Sequence, residues 1–160
     1  MSMPSQNVNT AKIFGAAAKD AGFLGNTVTR YRDHDKFLLV INHQKSAFGR
    51  LFYVNVGLYF REMLDEPLDE TAIRGAFKVR TTTPHPHVSW RIENTPGMPA
   101  AITQERLDSL VVQNDADELR GTLSLTLGIL LTFVAAHADR QALRQLSDAR
   151  LFSAMILKEV

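Results

Sequence analysis

The chain contains no cysteine. Disulfide staples and thiolate chemistry are therefore excluded, and a reduced, cytosolic setting is the easiest fit. Charge imbalance is also nearly absent: 18 Lys and Arg face 17 Asp and Glu, for a formal net charge of +1. A nucleic-acid binder would carry a basic surplus and a nucleic-acid mimic an acidic one, so neither is expected. The polar start, Met1 to Thr10, lacks the basic segment and apolar run of a secretory leader. The longest uncharged stretch lies between Arg120 and Asp139. Its apolar centre, Leu123 to Val134, includes Ser, Thr and Gly and is shorter than the roughly 20 residues a bilayer span needs. It reads as a buried helix, and no membrane role is expected. Phosphate-loop and dinucleotide fingerprints are missing, since neither Gly49 nor Gly57 leads into Gly-Lys-Ser/Thr or Gly-x-Gly-x-x-Gly.

What is present suits one folded unit. At 160 residues, 45% of them hydrophobic and 22% charged, the chain can bury a core without staples. The most informative stretch is Ile41 to Phe60, the greater part of a long β-hairpin. Phe37–Ser46 and Leu51–Phe60 read as its two strands, joined by Ala47-Phe-Gly-Arg50. If facing positions sum to 97, Phe37, Leu39, Ile41 and His43 oppose Phe60, Leu58, Val56 and Val54 on an almost wholly apolar face. The reverse face pairs Leu38, Val40, Asn42 and Gln44 with Tyr59, Gly57, Asn55 and Tyr53. A one-residue slip would turn over every side chain of one strand and mix the two sets, so the pattern specifies the register. His43 is the one residue that strains this division. Gly57, in mid-strand, is expected to let a bulky neighbour such as Tyr31 or Trp90 lie across the sheet.

Around the hairpin, a helix is expected from about Val8 to Asp20, capped by Asn7 or Asn9 and ended by Gly22. Asn26–Arg32, Gly75–Thr82 and His87–Glu93 alternate like strands. In the last of these, Val88, Trp90 and Ile92 point one way and His87, Ser89, Arg91 and Glu93 the other. Leu107–Val112 fits a final strand or the start of a helix. From Asn114 the period becomes 3.6: Leu119, Leu123, Leu127, Leu130 and Val134 share a stripe that Leu125, Ile129 and Phe133 widen, so this helix should be the most buried. Asp139 and Ser147 look like caps of two shorter helices, whose apolar faces come from Leu143 and Leu146, then Leu151, Phe152, Met155 and Ile156. The expected fold is a single α+β domain. It has an antiparallel sheet of about five strands at about 26–113, and an N-terminal helix and a C-terminal helical region (about 114–159) packed on one face.

A helix ending in Ala-Gly-Phe23 and a Tyr-Arg strand are followed by Ile-Asn-His-Gln-Lys-Ser46, Phe-Tyr-Val-Asn-Val-Gly57 and His87-Val-Ser-Trp-Arg-Ile92. This order resembles the bacterial family called domain of unknown function 4304, over roughly Thr10 to Gln113. His87, Arg91 and Ile92 are similar to that family's His-x-x-x-Arg-Ile stretch. The resemblance implies a small bacterial α+β domain with helices on one side of an antiparallel sheet, and it implies no reaction.

Candidate function centres on the polar sheet face. Asn is disfavoured in strands, so Asn42 and Asn55 in mid-strand call for a reason. With Gln44, Tyr53, Tyr59, His87, Arg91 and Glu93 they form the expected binding set, since Tyr, Arg and adaptable amides suit recognition surfaces. The bland alternative is a buried hydrogen-bond ladder under a loop or helix. His85-Pro-His87 would set two imidazoles on one side of an extended segment, but His43 falls on the apolar side and no helix carries His-x-x-x-His. Ser46 or Ser89 with His87 lacks a nucleophile elbow. No metal, cofactor or catalytic residue is expected. The leading expectation is a cytoplasmic protein-interaction module, in particular an immunity-type protein that neutralises a toxin partner. The alternatives are a small-ligand binder or hydrolase with a polar pocket on the sheet face, and a homo-oligomer subunit. The Arg30, Arg32, Lys78 and Arg80 set reads as a solvated strand surface.

Overall fold

The structure is a computed structural model that describes residues 7–47 and 49–160. Most of the expected leader-free start (Met1–Gln6) and Phe48 of the hairpin turn lie outside the described residues. The elements are α1 (Thr10–Asp20), β1 (Thr29–Asp33), β2 (Phe37–Lys45), β3 (Phe52–Phe60), α2 (Glu70–Ile73), β4 (Val88–Arg91), α3 (Gln104–Val112), α4 (Ala116–His137), α5 (Arg140–Asp148) and β5 (Met155–Ile156). The five strands form one antiparallel sheet in the order β1-β2-β3-β4-β5. The fold is α+β, with the N-terminal helix and the C-terminal helices on the apolar face.

The hairpin register is the one its alternation demands, from Phe37 opposite Phe60 to Gln44 opposite Tyr53. Leu39, Ile41, Val54, Val56 and Leu58 are fully buried and join Phe14, Leu107, Leu119, Leu123, Leu127 and Leu130 in the main core. Val88, Trp90 and Ile92 enter the same core. His43 also lies on this side, 7% exposed. It fits because its ring stacks on Phe52 and its Nε2 shares a 2.8 Å hydrogen bond with Thr10 Oγ1, which gives that buried nitrogen a partner. Burial pushes its pKa below the usual histidine value.

The helix ends follow local chemistry. Asn9 caps α1 by accepting from Lys12 N, and Gly22, at φ +87°, lets the chain leave while Phe23 N donates back to Ala18 O. Asp115 and Asp139 cap α4 and α5 in the same way as Asn9. By length and composition α4 is also apolar enough to cross a membrane, the one such helix among the described residues. Its Leu119–Leu123–Leu127–Leu130–Val134 stripe packs into the core. It is not buried around most of its circumference as expected, because Leu125 is 55% exposed and one flank is open.

Several expectations are corrected. Gly75–Thr82 is no strand but a run of turns: Ala76 is buried and Phe77 half-buried, while Val79 is 99% exposed. The loop folds back on itself, with the Thr81 and Thr83 hydroxyls crowding Gly75, which leaves no extended edge to pair. Leu107–Val112 belongs to α3, whose N-cap Thr103 accepts from Arg106 N. The fifth strand comes instead from the tail. Met155–Ile156 pairs with β4 where a second short helix was expected, and Arg144 holds this segment through the Leu157 carbonyl.

The outer sheet face is half covered. Leu38, Val40 and Tyr59 form a second small core with Ile73 and Ala76, under the segment 61–87. Gly57 makes room for this strap. A Cβ there would meet Pro86 Cγ at 2.7 Å and Phe77 Cζ at 3.0 Å, so the residues lying across it are Pro86 and Phe77 and not Tyr31 or Trp90.

Candidate functional site

The eight expected site residues separate into two ends of the sheet and one turn. Tyr59 and His87 lie at the covered end. Tyr59 is fully buried and its hydroxyl donates to the Pro84 carbonyl at 2.5 Å; burial pushes its pKa up. His87 is 5% exposed and stacks on Phe60, and its Nδ1 accepts from Phe60 N at 2.8 Å. Its pKa is lowered by burial and then by the Arg140 charge, with Glu159 opposing. A neutral ring whose Nδ1 accepts must carry its proton on Nε2. That nitrogen has no hydrogen-bond partner among the described residues. The ring borders a cavity of about 610 Å³ lined by residues from Met63 to Asp69 and by Thr82, Thr83 and Pro84. Glu93 leaves the strand altogether, in a single 3-10 turn (Ile92–Asn94), with its Oε2 occluded and without a hydrogen bond among the described residues.

The other five residues come together at the open end. Asn42 faces Asn55 and Gln44 faces Tyr53 across the hairpin, and Arg91 of β4 faces Asn55 from the other side. Asn55 Nδ2 donates to Gln44 Oε1 at 2.9 Å and to Asn42 Oδ1 at 3.3 Å, and Asn42 Nδ2 donates to Thr29 Oγ1 at 2.9 Å. The mid-strand asparagines thus form a side-chain ladder running parallel to the backbone one. The Arg91 guanidinium lies 4.1 Å from the Tyr53 ring centre. This diagonal cation–π pair holds the planar guanidinium against the sheet, and the Arg91 side chain makes no hydrogen bond among the described residues.

The polar end is the part of the outer face that the strap leaves bare. Asn42, Tyr53, Asn55 and Arg91 are half-buried and Gln44 is exposed. A hollow of about 410 Å³ opens beside them, bounded on its far side by Arg74, Phe77 and Lys78. Among the described residues no group of three or more metal-ligating side chains converges.

Residues 14–120 match a family described as a domain of unknown function, DUF4304. The chain belongs to this family. No curated protein and no solved structure matches it. All eight expected site residues, together with Arg74 and Lys78, lie within the DUF4304 span, whereas most of α4 and all of α5 and β5 lie beyond it. The DUF4304 region therefore supplies four of the five strands, and β5 extends the sheet from outside it.

Sequence reasoning misplaced four cations. Arg30 and Arg32 do not form a surface with Lys78 and Arg80. They lie on the α1 side of β1, donating to the carbonyls of Thr27 and Gly25 and of Ala21. Reading Gly75–Thr82 as a strand hid the fact that Lys78 sits on a loop folded against the amide ladder. The available signal was composition: Thr81-Thr-Thr-Pro-His-Pro86 directly follows, and a proline-punctuated run is a poor continuation of a paired strand.

Proposed function

We propose that this DUF4304 protein acts by binding, as a bacterial, cytoplasmic protein-interaction module of the immunity type that neutralises a toxin partner. The observation that carries this reading is the bare polar end of the outer sheet face. There Asn42, Gln44 and Asn55 are pre-ordered by their mutual hydrogen bonds, and Arg91 is stacked on Tyr53. Pre-ordered polar side chains lose little freedom on docking, and Tyr and Arg are the residue types that anchor interfaces. The test is capture of binding proteins from the native host with the wild-type chain and with Tyr53→Ala, Asn55→Ala and Arg91→Ala variants. A partner held by the wild type should be lost from the variants; retention by all three sinks the proposed face.

A second reading, a small-ligand binder, is favoured by one observation at the covered end: beside the 610 Å³ cavity, the Nε2 of the buried His87 has no hydrogen-bond partner among the described residues. Any ligand there should present an acceptor to that N–H. Its binding should shift the His87 ring nitrogen resonances and disappear in His87→Phe, and ligands that bind without moving those resonances would exclude the site.

A further inference from the structure

Among the described residues the cations around the open end have no ion-pair or hydrogen-bond partner. Every arginine except Arg74, Arg80, Arg91 and Arg150 bonds to a carboxylate, carbonyl or amide oxygen among the described residues. Two of these exceptions, Arg74 and Arg91, lie at this end of the sheet face together with Lys78. Arg74 and Lys78 line the 410 Å³ hollow beside Asn42, Gln44 and Asn55, Arg91 adjoins Asn55, and Arg80 follows on the same loop as Lys78. No carboxylate lines the hollow.

The amide ladder adds N–H donors to this cationic lining. Both Nδ2 hydrogens of Asn55 are spent on the oxygens of Asn42 and Gln44, and Asn42 spends one on Thr29. Each of these two oxygens has thereby used one of its two lone pairs. Gln44 keeps both of its side-chain N–H groups and Asn42 keeps one, so residues lining the hollow still offer donors. A hollow with two cations, spare amide donors and no acid is built to receive carboxylates. The surface around it is broad. Val79, 99% exposed, projects from the same loop between Lys78 and Arg80, and Arg74 and Lys78 are themselves exposed. A free small anion would leave Val79 and the Arg91–Tyr53 pair untouched, whereas an acidic stretch of polypeptide would cover them together.

We propose that this end of the face recognises an acidic segment of a protein partner, whose Asp or Glu side chains enter the hollow between Arg74, Lys78 and the amide ladder; this rests on the reading that the face binds a protein. The experiment is titration of the isotope-labelled full chain with a short poly-glutamate peptide, with a poly-lysine peptide and with free glutarate, followed by amide resonances. Poly-glutamate should move the side-chain amides of Asn42, Gln44 and Asn55 and the backbone amides of 74–80. Its binding should weaken with added salt and fall at least about tenfold in Arg74→Glu and Lys78→Glu. Both residues are exposed, so unchanged thermal melts will show that these variants still fold. Shifts that map elsewhere, equal binding of poly-lysine, or no binding would overturn the proposal. Glutarate binding as tightly as the peptide would also overturn it, in favour of a small-carboxylate site. Capture from the host separates the two levels. A partner lost by Tyr53→Ala, Asn55→Ala and Arg91→Ala but kept by Arg74→Glu and Lys78→Glu defeats the acidic-segment inference alone; a partner kept by all five variants defeats the binding face as well.

Discussion

Replacing Gly57 by Ala tests whether the strap 61–87 lies on the sheet. Two effects of opposite sign compete. In a strand interior Ala is favoured over Gly by about 0.5–1 kcal/mol, because glycine loses more backbone freedom on folding. Against this, the new methyl would sit 2.7 Å from Pro86 Cγ, 2.8 Å from Pro86 Cβ and 3.0 Å from Phe77 Cζ. Ordinary contact begins near 3.4 Å, so the proline ring would have to retreat by more than half an ångström. It cannot do so freely, since the neighbouring Pro84 carbonyl is held by the Tyr59 hydroxyl and Phe77 packs on the second small core. Overpacking of this kind costs about 1–3 kcal/mol, so the steric term wins and the net destabilisation should be about 1–2 kcal/mol. For a chain of this size that is a fall in Tm of roughly 3–6 °C. The assay is equilibrium urea denaturation beside a thermal melt, with the slope of the urea transition expected to stay unchanged. A Gly57→Ala variant as stable as the wild type, or more stable, would refute the reasoning, because that is how an uncovered glycine in a strand would behave.

Two further predictions concern the helices and the pH response. Leu127→Ala, at a position 1% exposed, should cost about 2–5 kcal/mol. Leu125→Ala, on the open flank of the same helix, should stay within about 0.5 kcal/mol, and equal losses in urea midpoints would contradict the packing of α4. His34, His43 and His87 all have pKa values lowered from 6.5, first by burial. The unfolded chain therefore binds more protons than the folded one below pH 6.5. Stability should be complete above that value and should decline as pH falls from 6.5 through the depressed folded values. Urea midpoints at about pH 7.5 and about pH 5 measure this, and His43→Phe should show a smaller drop between them than the wild type. An equal drop would show that folding does not lower the His43 pKa.

The legible parts of this chain are those governed by neighbours in sequence. Pleating sends alternate side chains to opposite faces, so the run from Phe37 to Phe60 contains its own register, and Val88, Trp90 and Ile92 declare their burial by the same alternation. Caps are equally local: Asn9, Gly22, Asp115 and Asp139 act within a few residues of themselves. Even His43 was correctly placed on the apolar side, although nothing nearby in sequence announces that Thr10 would meet its ring nitrogen.

What lies over a face is decided by the path of distant chain, and alternation is silent about that. The outer face reads as one polar surface from Tyr59 to Gln44, yet the strap divides it into a covered end with its own small core and a bare end with the amide ladder. Met155–Ile156 is too short for any period to show, and becomes a strand only because β4 offers it an open edge. Arg74 and Lys78 likewise come to line one hollow with Asn42 and Asn55 only because the loop folds back over the sheet. Local stereochemistry and hydrophobic alternation determined the strand faces, the hairpin register and the helix caps. Long-range packing alone chose which polar residues stay in contact with solvent, and so which of them are open to the proposed partner.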